Sequence, residues 1–157
     1  MADNIKKLNF TYERLRENSN IMQVFSNRFL KYMSAPRVYL IPSGINVREV
    51  NILAVISEHP GIVTVEIAKL WDVTPGAVSQ VLSKLESKGY IERRKEEGNA
   101  KEVHLYATEK GEALTEQHKA YNQERLEEIE KSVFSGYTLE EIDTFYKILN
   151  DLAEFYK

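Results

Sequence analysis

The sequence predicts a mainly α chain with a small β-wing: a winged helix-turn-helix flanked by N- and C-terminal helices suited to dimerisation. Three observations carry that expectation. Val78, Val81, Leu82 and Leu85 recur at i, i+3, i+4 and i+7, one apolar face over two helical turns. Thr74-Pro75 restarts a helix directly after Asp72-Val73, and Gly89 supplies its stop. Val103, Leu105 and Ala107 then alternate with His104 and Tyr106, opposite a Tyr90–Lys95 strand, around a polar Glu96–Ala100 tip.

The remaining elements follow in order. From Thr11 to about Tyr32, Leu15, Met22, Phe25, Phe29 and Tyr32 form a broad apolar stripe with Ile21, ended at Ala35-Pro36. Asn46 with Glu49 has capping-box character and opens a helix through about Ser57, which His59-Pro60-Gly61 ends. Thr64 stands where the next N-cap is expected, with Glu66 favourable in the first turn and Val65, Ala68 and Leu70 apolar, Ile67 and Trp71 broadening the stripe. Thr108 caps a long charged helix to about Val133. Ser135-Gly136 interrupts, and Thr138 with Glu141 opens a last helix expected to bury Leu139, Ile142, Phe145, Tyr146, Leu149, Leu152 and Phe155. The N- and C-terminal helices hold more large apolar residues than a winged domain can cover. A second copy of the chain is the expected cover.

At 157 residues the chain is expected to be a single domain, 1–157, with the winged helix-turn-helix at 46–108 and dimerisation helices at 1–35 and 109–157. With no cysteine there is no disulfide framework and no thiolate metal site. The N-terminus lacks the apolar region of a signal peptide, and no apolar run approaches ~18 residues, so the expectation is a cytoplasmic protein off the membrane. The net charge of −3 is unevenly spread: residues 1–63 sum to +3, residues 64–111 to zero and residues 112–157 to −6. The acidity therefore lies in the C-terminal helices. His59, His104 and His118 never pair at i+3 or i+4, so no metal site is expected, and His104 reads as a wing-strand residue near phosphate. Glu127, Glu128 and Glu130 read as a solvated helix face, and no nucleophile–base pair or phosphate-binding Gly loop is present. No enzyme and no cofactor are expected.

The polar face of the 74–88 helix is Gly76, Ala77, Ser79, Gln80, Ser83, Lys84 and Ser87, small and hydrogen-bonding, a surface that fits a major groove and reads base edges. Thr74, Gly76, Ala77, Ser79, Gln80 and Lys84 are the expected groove residues. Thr64, with Arg93, Arg94, Lys95 and Lys101 along the ribbon, is expected to hold phosphates.

INVREVNILAVISEHPG at 45–61, VTVEIAKLWDVTPGAVSQVLSKLESKGYIERR at 63–94 and ATEKG at 107–111 together resemble the DNA-binding core of the MarR family of bacterial transcriptional regulators. The resemblance implies a homodimer on double-stranded DNA, with recognition helices about one turn (~34 Å) apart. It also implies a repressor of a pseudo-palindromic operator, released by a small aromatic or lipophilic effector. Met22, Phe25, Arg28, Phe29 and Tyr32, followed by Tyr39, are the candidate effector residues, Arg28 able to meet a ligand carboxylate. Two departures stand out. Asn99-Ala100-Lys101 occupies the wing tip where the family has Asp-x-Arg, and Gln80 stands where it commonly has Arg, which shifts the preferred base from guanine toward adenine. Without cysteine, the peroxide-sensing branch is excluded. The alternative is a winged-helix interaction module that binds protein without sequence-specific DNA binding.

Overall fold

Local capping explains most element boundaries. The computed structural model of the chain describes the backbone of residues 2–35, 44–96 and 99–156, and the side chains of residues 11–35, 44–95 and 102–156. Helices α1 (Ala2–Ser34), α2 (Val47–Glu58), α3 (Thr64–Leu70) and α4 (Pro75–Ser87) precede strands β1 (Ile91–Glu96) and β2 (Asn99–Ala107). Helix α5 (Glu109–Ser132), a 3-10 turn at Phe134–Gly136 and α6 (Leu139–Phe155) complete the order. The chain divides into two compact units, Met1–Thr115 and Glu116–Lys157.

In the first unit, α2 begins as the sequence predicts. The Asn46 side chain accepts from the Glu49 N–H at 2.9 Å, and Glu49 Oε2 accepts from the Asn46 N–H at 3.1 Å. Helix α4 is capped by Thr74, whose Oγ1 accepts from the Ala77 N–H at 3.2 Å, with Pro75 at the first helical position. Helices α3 and α4 both end in paired back-bonds to a residue with positive φ. Val73 N donates to Ala68 O at 3.0 Å after Asp72 (φ 48), and Tyr90 N donates to Leu85 O at 3.0 Å after Gly89 (φ 72). Gly89 suits that conformation, whereas Asp72 adopts it against its Cβ. The tight turn of the helix-turn-helix therefore holds local strain.

Three boundary or facing expectations are corrected. Helix α1 starts at Ala2 rather than Thr11: residues 2–10 contain no Gly or Pro, and Ile5 and Leu8 extend the helical spacing of Tyr12 and Leu15 toward the N-terminus. Thr64 is the first residue of α3, not its cap. Val63 is extended there, bridges to His104 and donates its N–H to Glu66 Oε2 at 3.0 Å; lacking a side-chain oxygen, valine supplies no reciprocal bond. Val65 and Leu70 are exposed while Ile67 and Ala68 are buried, since seven residues are too few for spacing to choose a face.

The core of this unit comprises Ile45, Val50, Leu53 and Ile56 from α2 and its approach, Ile67 from α3, and Val78, Leu82 and Leu85 from α4, closed by Tyr90, Ile91, Leu105 and Leu114. Burial pushes the Tyr90 phenol pKa up. β1 and β2 pair antiparallel, Ile91 with Ala107, Arg93 with Leu105 and Arg94 with His104, with an irregularity between Arg94 and Glu96. The other edge of β2 is also covered: Gly61 N donates to Leu105 O at 2.8 Å and Leu105 N to Ile62 O at 3.1 Å. Thr108 Oγ1 donates to Gly89 O at 2.7 Å and accepts from Gly111 N at 3.1 Å, joining the stop of α4 to the start of α5. There the backbones nearly touch, and a Cβ at Gly111 would lie 2.1 Å from Tyr90 O.

In the second unit, the Thr138–Glu141 box opens α6: Thr138 N donates to Glu141 Oε2 at 2.8 Å, and Thr138 Oγ1 accepts from Glu141 N at 3.3 Å. The backbone bond from Thr138, then its hydroxyl bond, hold the Glu141 carboxyl below its ordinary range. That contribution is present above the carboxylate range and is lost as pH falls through the lowered value. Of the seven apolar residues expected to be buried along α6, Leu139, Phe145, Tyr146, Leu149, Leu152 and Phe155 are exposed within the single chain and Ile142 is half-buried. His118 is buried and lies 3.0 Å from the Asn122 amide through Nε2. Among the described residues no helix is long and apolar enough to cross a membrane, and no group of His, Asp and Glu is placed to hold a metal ion.

Two stability changes follow. Gly111→Ala should lower stability by about 3 kcal/mol, because backbone rather than a flexible side chain must yield. Asp72→Gly should raise it by about 0.5–1 kcal/mol by removing left-handed strain, net of the added chain entropy. Urea unfolding midpoints of the two variants check both.

Candidate nucleic-acid interface

Helix α4 buries one face and presents the other. Val78, Leu82 and Leu85 are fully buried, with Val81 half-buried beside them. Opposite them Gly76, Gln80, Ser83 and Ser87 fall at i, i+4, i+7 and i+11, an exposed row along the helix. Ala77 and Ser79 are half-buried on either flank, and Thr74 is exposed at the N-terminus. Ser83 Oγ donates to Ser79 O at 3.0 Å and Ser87 Oγ to Lys84 O at 2.9 Å, leaving both oxygens as acceptors. The Gln80 amide makes no hydrogen bond among the described residues, so its donor and acceptor both face outward.

The charged residues of α4 are used elsewhere. Lys84 Nζ lies 2.6 Å from Glu49 Oε1 on α2, and the Glu49 side chain is only 10% exposed against 43% for Lys84. On the other flank Glu86 Oε2 takes Arg93 Nε of β1 at 3.0 Å. Two ion pairs thus tie α4 to its neighbours, one on each side of the neutral row. Lys84 is placed on that α2-side flank and held there. Sequence reading found Glu49 as a cap residue but not as an anchor, because its partner lies 35 positions away.

Arg93 and Arg94 of the wing are likewise partnered and exposed. Arg94 pairs with Glu92, and its guanidinium sits 4.4 Å from the centre of the Tyr106 ring. Lys95 is exposed, and Thr64 is half-buried at the first turn of α3. Lys101 with the wing tip, and Tyr39, lie outside the described side chains. His104 does not project toward a ligand: its Nδ1 is 2.8 Å from Gly61 O, part of the contact that lays the 61–63 segment against β2. At the C-terminal end of α4, Lys110 Nζ donates to Lys88 O at 2.7 Å over the Tyr90 ring, and Lys88 Nζ donates to Gly44 O at 2.9 Å. Lys110 thus satisfies a carbonyl at the negative end of α4, whereas Lys88 satisfies one in the approach to α2.

The candidate effector residues Met22, Phe25, Arg28 and Phe29 are exposed along α1, with Tyr32 half-buried. Phe25 and Phe29 stack at 5.7 Å, and a shallow groove on the same helix is lined by Asn20, Ile21, Val24, Phe25 and Arg28. The described residues do not enclose them in a cavity.

Comparison with known proteins agrees with this architecture. A family model described as the MarR family matches residues 43–102. The chain is 31% identical over 111 residues to the HTH-type transcriptional regulator YhjH of Bacillus subtilis (strain 168), covering 71% of this chain and 63% of the relative, just under two thirds of its length. It is 26% identical over 136 residues to the HTH-type transcriptional regulator YwhA of the same organism, covering 87% of this chain and 95% of that one. Among solved structures, Streptococcus pneumoniae FabT in complex with DNA matches with a TM-score of 0.66 at 29% identity, covering 91% of this chain and 96% of that one.

The Glu49 anchor generates a stability expectation. Glu49→Ala removes the return bond of the α2 cap and the partner of Lys84 together, and should cost about 1–2 kcal/mol. Lys84→Ala leaves the cap intact but strands the nearly buried Glu49 carboxylate, and should cost more, about 2–3 kcal/mol. Thermal melts of the two variants distinguish these effects.

Proposed function

The chain belongs to the MarR family of transcriptional regulators, and on that footing we propose that it is a homodimeric repressor of a pseudo-palindromic operator. The observation that carries this is the neutral, hydrogen-bonding row on α4, held between α2 and the wing by an ion pair on each flank. A helix so fixed presents Gly76 and Gln80, with Thr74, Ala77 and Ser79 beside them, to base edges in the major groove. Thr64, Arg93, Arg94, Lys95 and Lys101 supply contacts to phosphate, which position the helix without reading sequence. Lys84 is left out of this set because its ammonium is engaged by Glu49.

The homodimer is supported by the apolar surface left open on α1 and on α6, taken separately. Leu15, Ile21 and Phe25 on one, and Phe145, Leu149 and Leu152 on the other, are surfaces that a second copy would bury. Pairing sets two recognition helices on one operator, and the resulting avidity offsets the weak charge of a winged segment with no net charge. A small aromatic or lipophilic effector, met by Phe25, Arg28 and Phe29, would release DNA by favouring a different spacing of the two helices. The same family and fold support a regulatory rather than an enzymatic role.

Selection of bound fragments from sheared genomic DNA at near-physiological salt, followed by sequencing, tests the proposal. Enrichment of a short inverted repeat with half-sites one turn apart is expected. A folded dimer that enriches nothing would leave the winged fold as a protein-interaction module. Within an enriched operator, Gln80→Ala should cost about 1–3 kcal/mol and relax preference at one position per half-site. Lys95→Ala should weaken all sequences alike and lower the salt slope by about 0.9 per subunit. Identical behaviour of the two variants across operator mutants would contradict this division of roles.

A further inference from the structure

We infer that each half-site carries adenine opposite Gln80 and no guanine selected by α4, because the ion pairs of α4 withhold every formal charge from its base-facing row. The inference rests on the DNA-binding reading above and specifies the sequence class of the operator. Guanine is selected chiefly by a cation, an Arg or Lys donating to O6 and N7, whereas Gln pairs bidentately with N6 and N7 of adenine. Lys84 is the one cation of α4, and it lies one turn beyond Gln80, within reach of the next bases along the groove.

Two features keep Lys84 from that task. Its Nζ is 2.6 Å from Glu49 Oε1, and the Glu49 side chain is nearly buried, so departure of the lysine strands a carboxylate with little water to replace it. The other Glu49 oxygen is fixed by the Asn46 N–H at the start of α2, so the carboxylate cannot follow the lysine outward. The other charged residue, Glu86, is tied to Arg93 on the opposite flank. What remains outward is one amide, at Gln80, which selects adenine, and the acceptor oxygens of Ser83 and Ser87, which take adenine N6 or cytosine N4 alike and choose no base pair. Glu49 is therefore a positioning residue for specificity: it touches no base and decides which side chains do.

The test is selection from random duplex DNA with wild type, Lys84→Gln and Glu49→Gln, together with salt titrations of binding. Wild type should enrich adenine at the Gln80-dependent position with no Lys84-dependent guanine beside it, and adenine-to-guanine replacement there should lower affinity roughly 5- to 150-fold. Lys84→Gln should enrich the same half-site with an unchanged salt slope. Glu49→Gln retains an amide oxygen to accept the Asn46 N–H but no charge to hold Lys84. It should therefore keep adenine, add a guanine preference at a neighbouring position and steepen the salt slope. A guanine preference in wild type that Lys84→Gln erases, or a flatter slope in that variant, would overturn the inference, since Lys84 would then leave Glu49 for DNA. So would a folded Glu49→Gln protein that selects the unchanged half-site with the unchanged slope. Should Glu49→Gln fail to fold, Lys84→Gln decides alone. Absence of any enriched sequence with wild type rejects the DNA-binding reading itself, a result distinct from enrichment of the wrong base.

Discussion

The carboxylate of Glu49 stands at the junction on which the winged unit is organised. One oxygen completes the cap of α2 and the other grips Lys84 of α4, so the start of one helix and the middle of the next are fixed by a single side chain. An ion pair of two solvated groups contributes little, because holding two long side chains in register costs most of what the attraction returns. Here one partner is already immobilised by its capping bond and by burial, so less freedom is lost on pairing. The apolar packing of Val78, Leu82 and Leu85 fixes how deeply α4 sits. The pair to Glu49 fixes its orientation about its own axis, which burial alone leaves loosely set.

A helix meant to lie in a groove must be firmly held yet leave its outer face unencumbered. Helix α4 meets both demands by using its charged residues sideways. Lys84 reaches toward α2 and Glu86 toward β1, while the residues between them are neutral or lack a side chain. The wing follows the same economy: Arg93 is both the anchor for Glu86 and a cation at the surface. Its neighbour Arg94 is flattened against Tyr106 and paired with Glu92, which orders a guanidinium that would otherwise sample many rotamers. Cations ordered in advance lose less entropy on meeting phosphate.

The elements legible from sequence are those defined by local chemistry. Thr74-Pro75, Asn46 with Glu49 and Thr138 with Glu141 each close a bond within a few residues, and each opens a helix as expected. Gly89 ends α4 for the same local reason. What sequence could not supply depends on long separations or on too few residues. The covering of β2 by the 61–63 segment joins positions over forty apart and has no alternation to announce it. The facing of α3 was misread because its short span gives no stable periodicity, whereas the early start of α1 was legible in the spacing of Ile5 and Leu8 and was set too late. For the candidate site, the polar row of α4 was visible as the complement of its apolar face. The engagement of Lys84 was not, since nothing in a one-dimensional pattern distinguishes a solvated lysine from one held by a distant glutamate.

The extra coverage of β2 has a consequence for the lone chain before it meets any partner. A two-stranded ribbon has two free edges, and an open edge is a template for another strand. Gly61 to Val63 closes the edge of β2. The remaining edge belongs to β1, where Arg93, Arg94 and Lys95 stand in succession beside a register irregularity. Charge and a bulge are what strand edges use to refuse addition. The basic run on the wing is thus also a guard against addition of a further strand to the sheet.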